Sequence, residues 1–504
     1  MKNLKVYFTS DIHGYVYPTD YVDRNEKSMG LLNIINQINK DENTLVIDAG
    51  DTIQGSPFTN YLSSNDFEIH PIAELMNKGG YDYITFGNHD FNYGYDYLKK
   101  YTNNLNAKVL SANIEDKTKE IEILPYDIKT MENGLKIGLI GITSDFVNLW
   151  ERKENIANFD IKDVFSNVKP IHDKVKEEVD ILIGIYHGGF EYDLESHKKL
   201  SKTKENIAYK ICEELEFDIL LTGHQHMQIP GQYLHNTYIV QTPQNGTKFI
   251  ELELVYDEKI VEINSQLNVV ELNYNKDDYN KYLDYEEKVQ EWLDTPVGFL
   301  DTALIPDTHL NMALNGSELA NFINQVQLNE SNADISCTSF ANVIKGFNKD
   351  VTVRDIMSTY MYPNTLVILE VNRESLKQAM ERSATYFDVK ENGEVTISDS
   401  FLKPKVEHYN YDYFANLKYE IDITKPVGER VASIVYKDKE LTNDDKISLV
   451  MNNYRASGAG GYEVYQNCKI IREILCEMPE VIINYFKENK HVSVDKSKYL
   501  SIKK

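Results

Sequence analysis

Short apolar runs recur through the first half of the chain, each followed by a loop with glycine or histidine and then by residues at helical spacing. Lys5 to Thr9 leads into Asp11-Ile12-His13-Gly14, and Thr44 to Ile47 into Asp48-Ala49-Gly50-Asp51. Tyr81 to Phe86 leads into Gly87-Asn88-His89-Asp90. Ile181 to Tyr186 leads into His187-Gly188-Gly189, and Asp218 to Thr222 into Gly223-His224-Gln225-His226. Further runs at Lys108 to Ala112 and Lys136 to Ile142 carry no candidate ligand. Apolar runs of this length, bounded by turn residues and alternating with helices, predict a layered α/β domain. In such sheets ligands gather at the carboxyl ends of strands, and every polar group just named sits at one.

Tyr238 to Gln241 and the alternating run Lys248 to Tyr256 close this pattern. In the charged stretch Asp277 to Leu293, the residues Tyr282, Tyr285, Val289 and Trp292 step by three or four, which predicts a helix with one buried face. Thr295-Pro296-Val297-Gly298 ends it. The second half mixes its elements. Asn315-Gly316-Ser317 caps a predicted helix from Glu318 to Gln327, and Asn372 caps another from Arg373 to Phe387. Thr365 to Val371, Tyr419 to Ile423, Val431 to Tyr436 and Ile447 to Asn452 read as strands, and Glu473 to Glu488 reads as a helix. The expected organisation is an α/β domain over 1–274, a connector helix over 275–296, and a smaller α+β substrate-binding domain over 297–504.

Composition narrows the chemistry. A chain of 504 residues exceeds one core, which agrees with two domains. The net charge of −26 argues against a nucleic-acid polymer as partner, since that requires a basic surface. A small anionic substrate stays open, because a metal ion reverses the field locally. Cys212, Cys337, Cys468 and Cys476 form no CxxC and no paired framework, so reduced thiols are expected. Met1 runs directly into a strand with no signal sequence ahead of it, and no apolar run reaches membrane-spanning length. A cytoplasmic protein with no membrane partner is expected; a trimmed exported protein would read the same way.

The loop residues form a ligand set. Asp11 and His13 are two apart at a strand end, which would turn both the same way, and His224 and His226 repeat the spacing. Asp51 lies in a Gly-Asp turn, Asn88 in a Gly-Asn turn, and His187 precedes two glycines. Any one of these motifs occurs in ordinary turns; five strand exits carrying them together favour a site. The donors are oxygen and nitrogen without thiolate, which suits a catalytic Zn, Mn, Fe or Co centre. Two divalent metal ions about 3.5–4 Å apart are expected. Asp51 would bridge them with one oxygen to each. Asp11, His13 and His226 would hold one ion, and Asn88, His187 and His224 the other. The site would then be positive and suited to phosphate, with a metal-bound hydroxide attacking phosphorus in line. His89 has no ligand duty and is expected to stabilise the transferring group or protonate the leaving oxygen. His70, His172, His197, His235, His309, His408 and His491 lack such a setting and read as structural.

The motif order DxH, GD, GNH, H and GHxH resembles the calcineurin-like metallophosphoesterase superfamily over roughly residues 4–256. This implies the same dinuclear site. With the second half included, the chain resembles the 5′-nucleotidase family. Gly50 to Pro57, Gly87 to Gly94, Tyr362 to Leu366 and Asn452 to Gly458 look most like its bifunctional 2′,3′-cyclic-nucleotide 2′-phosphodiesterase/3′-nucleotidase branch. The resemblance implies a small nucleotide substrate in a cleft between the domains, and domain rotation during turnover. It also implies a base held by aromatics, with Tyr462 paired to Tyr409 or Tyr411, and with Asn364 and Gly460 nearby. His89 and Asn92 would form the catalytic pair. Many 5′-nucleotidases have an aspartate where this chain has Asn92. His89 should therefore be less basic unless another carboxylate, such as Asp90, replaces it. The expected reaction is hydrolysis of 2′,3′-cyclic nucleotides and 3′-nucleotides. The alternatives are a 5′-nucleotidase or nucleotide-sugar hydrolase with the same metals, and a non-catalytic nucleotide-binding module.

Overall fold

Along the Lys2–Thr9 strand the pleat turns Leu4, Val6 and Phe8 to one face. There they join Leu45 and Ile47 and meet Ile137, Leu139, Ile183 and Leu221 in one buried core. Two six-stranded sheets therefore lie face to face. The first runs in the order Ile260–Val269, Lys248–Tyr256, Lys2–Thr9, Thr44–Asp48, Tyr83–Ile84, Lys108–Val109. The second runs Ile229–Leu234, Thr237–Gln241, Ile219–Thr222, Ile181–His187, Lys136–Thr143, Asp127–Thr130. The last four strands of the first sheet and the middle four of the second are parallel, so their carboxyl ends share an edge. The outer face of the second sheet, through Ile140, Leu182, Leu220 and Ile239, packs on helices Val164–Lys176 and Ala208–Glu214. The strand expected over 81–86 shortens to Tyr83–Ile84, because the Phe86 carbonyl leaves the ladder to accept from Thr143 Oγ1 at 2.9 Å.

The computed structural model describes residues 1–195, 197, 199, 204–360, 362, 364–403, 405–474 and 476–504; Pro363 of the Tyr362 to Leu366 motif lies outside them. Two compact units emerge, Met1–Gln290 and Glu291–Lys504. The expected connector is two helices, Lys276–Lys281 and Leu283–Leu293. Up to Gln290 it belongs to the first unit. Lys78 pairs with Asp278, Tyr17 Oη donates to the Tyr279 carbonyl at 2.9 Å, and Tyr21 Oη donates to Glu286 at 2.9 Å. Among the described residues no helix is long and apolar enough to cross a membrane, and all four cysteines are free.

The second unit has a five-stranded and a four-stranded sheet around one core that includes Phe322, Ile335, Leu369 and Leu449. Ser317 and Asn372 cap helices Glu318–Ser331 and Arg373–Ala384. The helix expected over 473–488 starts only at Met478, and Lys469–Ile474 is a strand. Ile470 and Ile471 favour extended backbone, and Pro479 suits a helix's first turn. The glycine-rich turn at 458–461 wraps Arg455, which is 1% exposed. Arg455 contacts both oxygens of Asp412 at 3.0 Å, donates to the carbonyls of Ala459 (2.7 Å) and Tyr409 (2.8 Å), and lies 4.0 Å over the Tyr462 ring. Asp412→Ala would strand this guanidinium in the core. It is expected to destabilise the second unit by roughly 3–5 kcal/mol, read as a lower midpoint in denaturant; a parental midpoint would show that the pair holds nothing together.

Candidate metal centre

Asp11 and His13 follow the first strand, Asp51 the second and Asn88 the third; His187 ends the Ile181–His187 strand, and His224 and His226 follow Ile219–Thr222. Two donor groups result. Asp11, His13 and His226 present ligand atoms within 4.8 Å of one another, and so do Asp51, His187 and His224. Asn88 joins the second group through Oδ1, 2.9 Å from His224 Nδ1. Asp51 Oδ2 lies between the groups, 3.2 Å from His187 Nε2 and 3.9 Å from His13 Nε2. Asp51 Oδ1 is occupied, accepting from the His89 N–H at 2.7 Å. This corrects the expectation of one oxygen per metal: only Oδ2 faces both groups.

The pleat does not aim these ligands. The strands end at Thr9 and Thr222, before the DxH and HxH motifs begin. Asp11 (φ 58°), His13 (φ 51°), His224 (φ 72°) and His226 (φ 56°) all take left-handed backbone, as does Asp51 (φ 54°). Left-handed turns, which Asp and His tolerate better than most residues, therefore replace strand alternation as the device that converges the side chains. Gly87 serves close approach: a Cβ there would lie 2.1 Å from Asp51 Oδ1.

The imidazoles are held from behind. His13 Nδ1 lies 3.0 Å from the Gln54 carbonyl, His187 Nδ1 2.7 Å from the Ala49 carbonyl, and His224 Nε2 3.2 Å from Glu205. A ring that donates one nitrogen to such a partner offers the other as a lone pair to a metal. Trp150 stacks on His224 with ring centres 5.3 Å apart and limits its rotation. Sequence reasoning missed Trp150 and Glu205, which belong to no motif, and gave no role to Gln54 within the Gly50 to Pro57 stretch.

The electrostatics call for cations. Burial alone would raise both carboxyls. The surrounding histidines together outweigh it, led by His226 for Asp11 and by His187 for Asp51, and both are held below the usual carboxylate range. Burial would lower His187, yet Asp51 with Asp11 pushes it up to about 10. A proton is thus drawn to a buried imidazole between two carboxylates. His187 Nε2 is also buried without a satisfactory hydrogen bond. A divalent ion satisfies both demands, so the donor set fits such a cofactor.

His89 stands beside this centre, its ring centre 5.5 Å from that of His13. Its Nδ1 lies 2.8 Å from Asn92 Oδ1, and Asn92 Nδ2 donates to Glu151. Asp90 is not the partner of His89. Its carboxylate accepts four backbone N–H groups, from Asp51 (2.9 Å), Thr52 (2.8 Å), Ile53 (3.1 Å) and Gly87 (2.8 Å). The expected substrate residues fare differently. Tyr462 (0% exposed) and Tyr411 (2%) are core residues; their hydroxyls donate to the carbonyls of Asn410 (2.9 Å) and Ala313 (3.1 Å). Neither offers a ring face to a base, which corrects the stacking expectation. The Gly460 carbonyl accepts from Arg382 at 2.8 Å, and Tyr409 and Asn364 are half-buried.

Asp90→Asn keeps the shape but turns an NH₂ group onto backbone donors. It is expected to cost roughly 2–3 kcal/mol and to lower bound divalent metal, read by denaturation and by elemental analysis of the purified protein; parental values in both would show that Asp90 does not brace the centre.

Residues 4–228 match the model of the calcineurin-like phosphoesterases, which use divalent metals, and residues 296–467 match that of the 5′-nucleotidase C-terminal domain. The trifunctional nucleotide phosphoesterase protein YfkN of Bacillus subtilis (strain 168) is 25% identical over 569 residues, covering 97% of this chain and 38% of that protein. The 2′,3′-cyclic-nucleotide 2′-phosphodiesterase/3′-nucleotidase of Salmonella typhimurium is 24% identical over 547 residues, covering 90% of this chain and 81% of that protein. A Staphylococcus aureus protein provisionally assigned as a 5′-nucleotidase, crystallised with alpha-ketoglutarate, shares 32% identity and a TM-score of 0.91 over 100% of both chains. The chain therefore belongs to the 5′-nucleotidase family, as a phosphoester hydrolase joining a calcineurin-like phosphoesterase domain to a 5′-nucleotidase C-terminal domain.

Proposed function

We propose that the chain hydrolyses 2′,3′-cyclic nucleotides to 3′-nucleotides and then releases the nucleoside and phosphate, using two divalent ions. The observation that carries the metal-dependent reading is the position of Asp51 Oδ2 between two donor groups. Asp11, His13 and His226 would hold one ion, and Asn88, His187 and His224 the other, with Asp51 shared. When bound, divalent ions supply positive charge for the phosphate and bring a water's pKa to about 7.

The chain's own residues divide the remaining work. His89 has Nδ1 committed to Asn92, so Nε2 faces the substrate's departing oxygen and gives it a proton. Its backbone N–H, on Asp51 Oδ1, ties the acid to the metal centre. Trp150 against His224 keeps water from that side of the ring. The 3′ and cyclic preference draws support from the Salmonella relative, a 2′,3′-cyclic-nucleotide 2′-phosphodiesterase/3′-nucleotidase, and from Asn92, a neutral residue where many 5′-nucleotidases have aspartate. A 5′-nucleotidase is the second reading, favoured by the Staphylococcus relative.

Phosphate release after metal reconstitution from 3′-AMP, 5′-AMP and 2′,3′-cyclic AMP (the last with added phosphatase) separates the two. Faster release from the cyclic and 3′ compounds is expected; faster release from 5′-AMP would replace the first reading with the second. His89→Ala should retain metal and lose turnover by roughly 10²–10⁴-fold, and undiminished turnover would remove His89 from proton transfer. Asp51→Asn should lose both metal and activity; a variant with parental metal content and rate would refute sharing at Asp51.

A further inference from the structure

Glu151 is 59 residues from Asn92 in sequence and reaches it in space. Its Oε1 accepts from the Arg152 N–H at 2.7 Å and from Asn155 Nδ2 at 3.0 Å, and its Oε2 accepts from Asn92 Nδ2. Asn155 Nδ2 also donates to the Asn92 carbonyl at 3.0 Å. The Glu151 N–H in turn donates to the Val147 carbonyl at 2.9 Å, which anchors it to the Val147–Trp150 helix.

An asparagine amide has a donor end and an acceptor end, and a carboxylate only accepts. Facing Glu151, Asn92 must therefore present Nδ2 to it and Oδ1 to His89. With Oδ1 opposite, His89 Nδ1 bears a proton in both the neutral and the charged ring. With the amide reversed, Nδ1 would meet an N–H donor and could hold no proton, and the charged ring would be excluded.

We propose that Glu151 is a positioning residue of the phosphoester reaction: it orients the Asn92 amide, and through it the His89 ring, so that His89 can carry a donatable proton on Nε2. In the step served, the P–O bond to the leaving group breaks, the electron pair stays on that oxygen, and the Nε2 proton moves to it. The ring is left neutral with its proton on Nδ1 and is recharged from solvent. The inference rests on the role given to His89 above. It adds that a neutral amide replaces an acidic partner without loss of orientation, because the negative charge sits one residue further back.

Glu151→Gln tests it with an isosteric side chain. The introduced amide oxygen keeps the Arg152 and Asn155 donors, so the introduced NH₂ group faces Asn92 and turns its amide round. Turnover of 4-nitrophenyl phosphate by the metal-reconstituted variant is expected to fall roughly 10²-fold, with KM and metal content near parental. In ¹⁵N-histidine spectra of the metal-free protein, with the resonance assigned by its loss in His89→Ala, the ring should move from Nδ1–H to Nε2–H. The double variant Glu151→Gln/Asn92→Asp restores an acceptor to Nδ1, with the new amide donating to the new carboxylate, and should recover most of the lost rate and the Nδ1–H form. An unchanged tautomer, a single variant within about twofold of parent, or a double variant no faster than the single would each overturn the proposal. The tautomer readout needs no substrate, so a different substrate class would leave it standing.

Discussion

Four backbone N–H groups converge on the Asp90 carboxylate, and the centre depends on that convergence. Three come from the loop after the second strand and one from the turn after the third. A single side chain thus fixes the distance between two strand exits that the sheet alone would leave loose, the third strand being two residues long. The bare Gly87 lets Asp51 close against the turn, and the His89 N–H then takes one Asp51 oxygen. The other oxygen is left pointing between the imidazoles. Backbone donors, which cannot titrate or swing, are a stiffer support than a side-chain network of the same size.

The local motifs were readable because each spans two to four residues and the strand–loop alternation places them without tertiary information. Asp11, His13, Asp51, Asn88, His187, His224 and His226 all lie at the edge the apolar pattern predicts. The reason given for their convergence was incomplete: the pleat was expected to aim Asp11 and His13, but the strand ends at Thr9 and left-handed turns do the aiming. Long-range partners were not readable. Glu151 and Glu205 belong to no motif, and in sequence a carboxylate that backs an active-site group looks like any surface acid. The tyrosines erred the other way. The resemblance placed Tyr462, with Gly460 nearby, against a base, whereas the glycine-rich turn wraps Arg455, whose guanidinium covers the ring.

Charge runs through the centre in layers. Asp11 and Asp51 face inward on the cation side, and Gln54, Ala49 and Glu205 face the outer nitrogens of three imidazoles. His89 follows the same plan through an intermediary, with Asn92 before it and Glu151 behind. The rings are oriented by acceptors on their far sides, and their near sides stay available for chemistry. This separation leaves Asp11, Asp51 and the near nitrogens of the rings together as the donor set that fits a cation.

The left-handed backbone at Asp11, His13, Asp51, His224 and His226 also filters substitution. Asp, Asn and His occupy that region several-fold more readily than other side chains. Cysteine and glutamate are ligands in many metalloproteins but would enter these five positions only against the backbone. Chemical drift at the centre is thereby steered along Asp, Asn and His. A soft thiolate set would require rebuilt loops rather than a few point changes. The main chain thus favours oxygen and imidazole donors over thiolate at these five positions.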